Sequence, residues 1–174
     1  IRRRYQQASS DDVRLLLRDI SRFSEYYRLI LFPEQGDGDS RVRKEVCKSL
    51  TRIKRIGNNA PAPFLLLLLA ANDRRRNPAA SLSDDELLEI LSCVESYLIR
   101  RMVCQRSDAV YEEVFEILCR GASDGSGYLT PEETRSFIAS LQAPFDMPDD
   151  DEFLDHLRYS DLYQPGSDNE LAFV

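Results

Sequence analysis

Apolar residues recur at intervals of three and four along nearly the whole of this chain, and no stretch alternates convincingly with period two. A half-buried strand needs alternation because successive side chains point to opposite faces. A helix needs the 3.6-residue spacing that gathers them on one side. The pattern therefore predicts an all-α fold, a single compact bundle of about six to seven helices.

The first helix is expected from about Asp11 to Leu31, with Val13, Leu16, Leu17, Ile20, Phe23, Tyr27, Ile30 and Leu31 on its inner face. A second, from about Arg41 to Ile56, turns Val42, Val46, Leu50 and Ile53 inward, and Gly57-Asn58-Asn59 stops it. Phe64 to Asn72 is apolar on every side, as a central buried helix would be. Ser83 and Glu86 have the spacing of a capping box, which opens a long helix to about Gln105. Ser107 is expected to cap a fifth helix through Arg120, and Thr130-Pro131 opens a sixth. A seventh should begin near Asp149 and bury Phe153, Leu154 and Leu157.

At 174 residues the chain has the length of one domain, 1–174, with 43% hydrophobic and 30% charged residues. It opens on Ile1-Arg2-Arg3-Arg4 rather than Met, which is expected of a piece of a longer protein. The longest apolar run, Phe64 to Ala71, falls far short of the roughly 20 residues of a membrane span, so no membrane partner is expected. Cys47, Cys93, Cys104 and Cys119 form no C-x-x-C pair, and His156 is the sole histidine. No spacing signals a metal site, and the cysteines read as reduced core thiols of a cytoplasmic protein. No Gly-rich phosphate loop occurs, and no catalytic residue is assigned. The acidic runs Asp84-Asp85-Glu86 and Asp149 to Glu152 precede apolar periodic stretches, where carboxylates suit a helix N-terminus.

Three constellations remain. Residues 1–76 carry 17 Lys and Arg against 9 Asp and Glu, a net +8, while residues 77–174 carry 6 against 21, a net −15. Within the basic half, Arg41, Lys44, Lys48, Arg52 and Arg55 form a column along the second helix, away from its apolar stripe. Such a column can track a nucleic-acid backbone non-specifically, or be a solvated face. The second is Ala122 to Glu133, which resembles a calcium loop, with Asp124, Ser126, Gly127 and Glu133 at matching places. It carries Ala122 where the first carboxylate belongs, so no metal is expected there. In the third, Glu95, Tyr97, Arg100 and Arg101 lie within an otherwise apolar helix. Glu95 cannot face either arginine at i+3 or i+4, so these groups should form a structural polar brace with partners from other helices.

The segment Glu95-Ser96-Tyr97-Leu98-Ile99-Arg100-Arg101-Met102-Val103-Cys104, together with Val110 to Phe115 after it, resembles the GmrSD-type restriction endonucleases. The similarity continues upstream through Phe23 to Tyr27 and Phe64 to Leu69, and downstream through Met147 to Phe153 and Leu162-Tyr163, in the same order. Such proteins join a ParB-like nucleotidase, a helical region and a His-Asn-His nuclease, and cut modified phage DNA in bacteria. The nucleotidase signature is absent here, and one histidine cannot build the nuclease motif. The resemblance thus implies the central helical region alone, without cofactor and without catalysis. The flanking nucleotidase and nuclease domains would be its partners, and the parent protein would use a nucleoside triphosphate and a divalent metal. Two rivals are a self-contained adaptor that binds protein through its acidic half, and a degenerate calcium module.

Overall fold

A computed structural model describes residues 10–36, 41–73, 82–123 and 130–159. Among these the chain forms seven α-helices and no strand: α1 Ser10–Leu31, α2 Arg41–Arg55, α3 Ala62–Asn72, α4 Asp84–Val103, α5 Tyr111–Ser123, α6 Pro131–Ser140 and α7 Asp150–Tyr159. The predicted all-α bundle is what folds. Two short 3-10 turns, Pro33–Gln35 and Asp108–Val110, precede α2 and α5.

The helix boundaries follow local chemistry. Ser83 caps α4 through a complete capping box: the Glu86 amide donates to Ser83 Oγ, and the Ser83 amide donates to Glu86 Oε2 at 2.8 Å. Thr130 accepts from the Glu133 amide and Pro131 takes the first turn of α6, where its missing N–H costs nothing. Gly57, at φ +80, supplies the left-handed turn that ends α2. The same turn after α4 falls on Gln105, at φ 54. There the Arg106 amide donates to Arg101 O and the Gln105 amide to Met102 O, the paired closing bonds of a Schellman motif.

Helix α4 is the hub, touching α2, α3, α6 and α7, while α3 lies against α1 and α5. Leu87, Ile90, Leu91, Val94, Tyr97 and Leu98 of α4 are almost wholly shielded, packed with Leu50, Phe64, Leu68, Phe115 and Leu118. Each such side chain contributes roughly 1.5–3 kcal/mol on leaving water. Tyr26 donates to Asp73 Oδ2 at 2.7 Å and pins α1 beside the end of α3. All four cysteines are free thiols, Cys104 buried and the others half-buried. No described helix is long and apolar enough to cross a membrane.

Two expectations need correction. The apolar face of α1 is buried only towards its C-terminal end, at Tyr26, Leu29 and Ile30, while Val13, Leu16, Leu17, Ile20 and Tyr27 remain 42%, 38%, 59%, 56% and 47% exposed. Spacing marks a face as apolar but cannot supply the neighbour that would cover it. Helix α7 buries none of its residues: Leu154 is 45% exposed, and Phe153 and Leu157 are half-buried. It lies at the rim, with the end of α4 as its support. The Val42 side chain and the loop positions Asp124, Ser126, Gly127, Leu162 and Tyr163 lie outside the described residues.

Candidate functional site

On α2 the five cations form one exposed column: Arg41, Lys44, Lys48, Arg52 and Arg55 are all solvent-facing, opposite the buried Val46, Leu50 and Ile53. Lys48 and Arg52 are already engaged. Lys48 Nζ lies 2.9 Å from Glu45 Oε1, and this hydrogen bond, foremost, holds the Glu45 carboxyl below its usual range. Arg52 Nε donates to Glu95 Oε1, a contact that raises the guanidinium pKa above its ordinary value. Burial works against that rise without overcoming it. Lys44 and Arg41 extend the column away from these anchors, towards the start of the helix.

Arg52 joins two groups that sequence spacing keeps apart. Its partner Glu95, with a side chain 14% exposed, also accepts from Ser49 Oγ at 3.0 Å, so α2 and α4 are tied by Ser49, Arg52 and Glu95. Glu95 does not meet the arginines of its own helix. Those turn to the opposite end, where they organise the segment Leu141 to Asp149.

Arg101 is 1% exposed. Its Nη1 donates to Asp146 O at 2.6 Å and its Nη2 to Ser107 O at 2.8 Å, while the guanidinium lies 5.6 Å from the ring centres of both Tyr97 and Tyr111. The cation is thus stabilised by carbonyl dipoles and aromatic faces. Tyr97 Oη donates to Phe145 O at 2.9 Å, and burial pushes its phenol up to about 12. Burial likewise raises Tyr111, against the lowering influence of Arg101. Arg100 is more open, its side chain 22% exposed. It donates to Pro148 O at 3.1 Å, pairs with Asp150 and sits 5.1 Å from the Phe153 ring.

The expected brace is therefore two devices. Glu95 locks α4 to α2; Tyr97, Arg100 and Arg101 lock α4 to the loop before α7. Ser49, Arg106, Tyr111 and Asp146 were missed in the sequence. Only Ser49 left a trace there, sitting one turn before Arg52 on the same helix. The other partners lie on loops or on another helix, without a spacing that points to α4.

The site has no activated nucleophile among its shifted groups: Tyr97, Tyr111, Cys104 and Cys119 are all held in their protonated forms by burial first of all. What the arrangement can do is hold helices at fixed angles and present a basic column beside them. Comparison with family models, with curated proteins and with solved structures finds no match for this chain.

Proposed function

We propose that this chain is the non-catalytic helical connecting module of a bacterial anti-phage restriction nuclease. In this reading it holds the nucleotidase and nuclease domains in register and lays the α2 column along the DNA backbone. The observation that carries the reading is the open face of α1. Val13, Leu16, Leu17 and Ile20 form an i, i+3, i+4, i+7 stripe that the described residues leave in water. A stripe of this kind is built to be covered by protein, and a domain joined to the same chain is the nearest candidate. The ordered resemblance to the helical region of GmrSD-type enzymes, and the rigid ties of α4, support the same role.

The test uses the full-length protein with Leu17→Asp and Ile20→Asp combined. Both side chains are more than half exposed, so the helical bundle should keep its circular-dichroism signal and melting temperature. Nucleotide-dependent DNA cleavage should fall at least tenfold. Cleavage at the parental rate would overturn the connector reading. For the DNA contact, Lys44→Glu with Lys48→Glu should abolish weak, salt-sensitive duplex binding, on the order of 10⁻⁴ to 10⁻⁶ M at physiological salt. Arg52 is left intact in that variant because its partner Glu95 is shielded and ties α2 to α4, whereas Glu45 beside Lys48 is open to water, which screens the new carboxylate there.

A second reading, an adaptor that takes a basic partner, is favoured by a cleft of about 670 Å³ whose walls include Asp108, Glu112, Glu116 and Phe115. Its mark would be binding of a cationic peptide that Glu112→Lys removes.

A further inference from the structure

The fold gathers a cysteine, a carboxylate and the single histidine at one point that the connector reading does not use. The Sγ of Cys104, a carboxylate oxygen of Glu152 and a ring nitrogen of His156 all lie within 4.8 Å of one another. We propose that these three side chains bind a divalent metal ion of the borderline class, zinc foremost, and that the ion clamps α7 to the C-terminal end of α4.

The donor set selects the metal. Thiolate, imidazole and carboxylate together suit Zn²⁺ and Co²⁺, whereas Ca²⁺ and Mg²⁺ require oxygen throughout. With metal–ligand bonds of about 2.0–2.3 Å, a tetrahedral shell places its donors roughly 3.3–3.8 Å apart. Donors already within 4.8 Å of one another stand only slightly outside that spacing, so the closure asked of the side chains is small. Glu152 and His156 stand one helical turn apart, so one face of α7 supplies both, and Cys104 comes from the C-cap of α4. Three protein donors leave a fourth position for water.

Two surrounding features fit this role. Helix α7 buries no residue of its own and is joined to the body chiefly by polar contacts: Asp150 with Arg100, Glu152 with Arg106, and Phe153 beneath Arg100. An ion bridging α7 to α4 would supply the attachment that apolar packing does not. Arg106 is the competitor, with Nη2 at 2.9 and 3.1 Å from the two Glu152 oxygens. The same nitrogen is already 3.7 Å from Asp146 Oδ2, so Arg106 has a second carboxylate to hold when the metal takes Glu152. Binding forms the metal–sulfur bond, breaks the S–H bond and releases one proton to solvent.

The experiment titrates the reduced, metal-stripped full chain with Co²⁺ and follows absorbance, then displaces Co²⁺ with Zn²⁺. One equivalent should bind with a thiolate-to-cobalt charge-transfer band and the visible bands of a four-coordinate ion, and Zn²⁺ should bleach both. His156→Gln should weaken Co²⁺ binding by at least about a hundredfold, since loss of a direct ligand exceeds the 10–100-fold cost of losing an outer hydrogen bond. Cys104→Ser should remove the charge-transfer band. Because Cys104 is buried, the rim variant His156→Gln keeps the proposal falsifiable if Cys104→Ser fails to fold. Cys93→Ser, on the same helix but outside the trio, should leave the spectrum unchanged. No binding at 100 μM Co²⁺, binding without a charge-transfer band, or a band that survives His156→Gln at full affinity would each overturn the proposal.

Discussion

Truncation of Arg101 and truncation of Arg100 separate a shielded cation from an open one within a single helical turn. Arg101→Ala removes two charge-assisted hydrogen bonds, each worth about 1.5–3 kcal/mol, and leaves the Asp146 and Ser107 carbonyls without their donor. It also removes a guanidinium that fills the space beside Tyr97 and Tyr111. Against this stands relief from burying a charge, which makes about 3–5 kcal/mol the expected loss. Arg100→Ala removes an ion pair to Asp150, whose side chain is 80% exposed, a bond to Pro148 O and the contact over Phe153, and because the site is open enough for water to replace much of this, the loss should stay below about 2 kcal/mol. At roughly 2–4 °C per kcal/mol for a chain of this size, the melting temperature should fall by about 6–20 °C for Arg101→Ala and by at most about 8 °C for Arg100→Ala, with the Arg101→Ala shift the larger of the two. Arg101→Lys should recover less than half of the loss, because one ammonium cannot reproduce the planar fork that reaches both carbonyls. Differential scanning calorimetry of the four proteins at one pH and salt concentration is the assay. Equal shifts for the two alanine variants would refute the separation of their environments.

Gln105→Gly should raise stability by about 0.5–1 kcal/mol, visible as a higher urea midpoint with an unchanged slope, because glycine takes the left-handed C′ position without the side-chain penalty. An unchanged or lower midpoint would count against the Schellman geometry. Alkaline stability should fall from near pH 10, the ordinary tyrosine value, to about pH 12, where Tyr97 titrates in the folded chain. The unfolded state loses these phenolic protons first, so the contribution of Tyr97 and Tyr111 is complete below pH 10 and lost as pH rises through the folded value. Phenolate absorbance should show Tyr97 and Tyr111 titrating late, and denaturant melts should move in step with them.

Most of the helix order is legible because a period comes with a start or stop signal: Ser83 with Glu86 opens α4, Thr130 before Pro131 opens α6, and Gly57 closes α2. Neighbours are not legible in the same way. The apolar spacing of Val13 to Ile20 is indistinguishable from that of Tyr26 to Ile30, yet only the latter meets a packed surface. For the site, the oddity of Glu95 and Arg101 in an apolar helix is visible as a demand for partners. The answer to that demand is supplied for Arg101 by main-chain carbonyls at Asp146 and Ser107, and a carbonyl carries no residue-type signal. The same limit hides the juxtaposition of Cys104 with Glu152 and His156, because it depends on where α7 lands beside the end of α4.

The uneven covering of α1 has a mechanical consequence. From Arg22 to Ser10 the helix runs twelve residues, about 18 Å at 1.5 Å per residue, beyond a root fixed by Tyr26, Leu29 and Ile30. A rotation of about 10° at that root would swing the tip by roughly 3 Å. Whatever rests on the outer stripe would move by a distance comparable to a hydrogen bond, whereas the Tyr26–Asp73 contact at the pivot would scarcely stretch. The helix is thus a lever with its fulcrum in the core and its long arm in solvent.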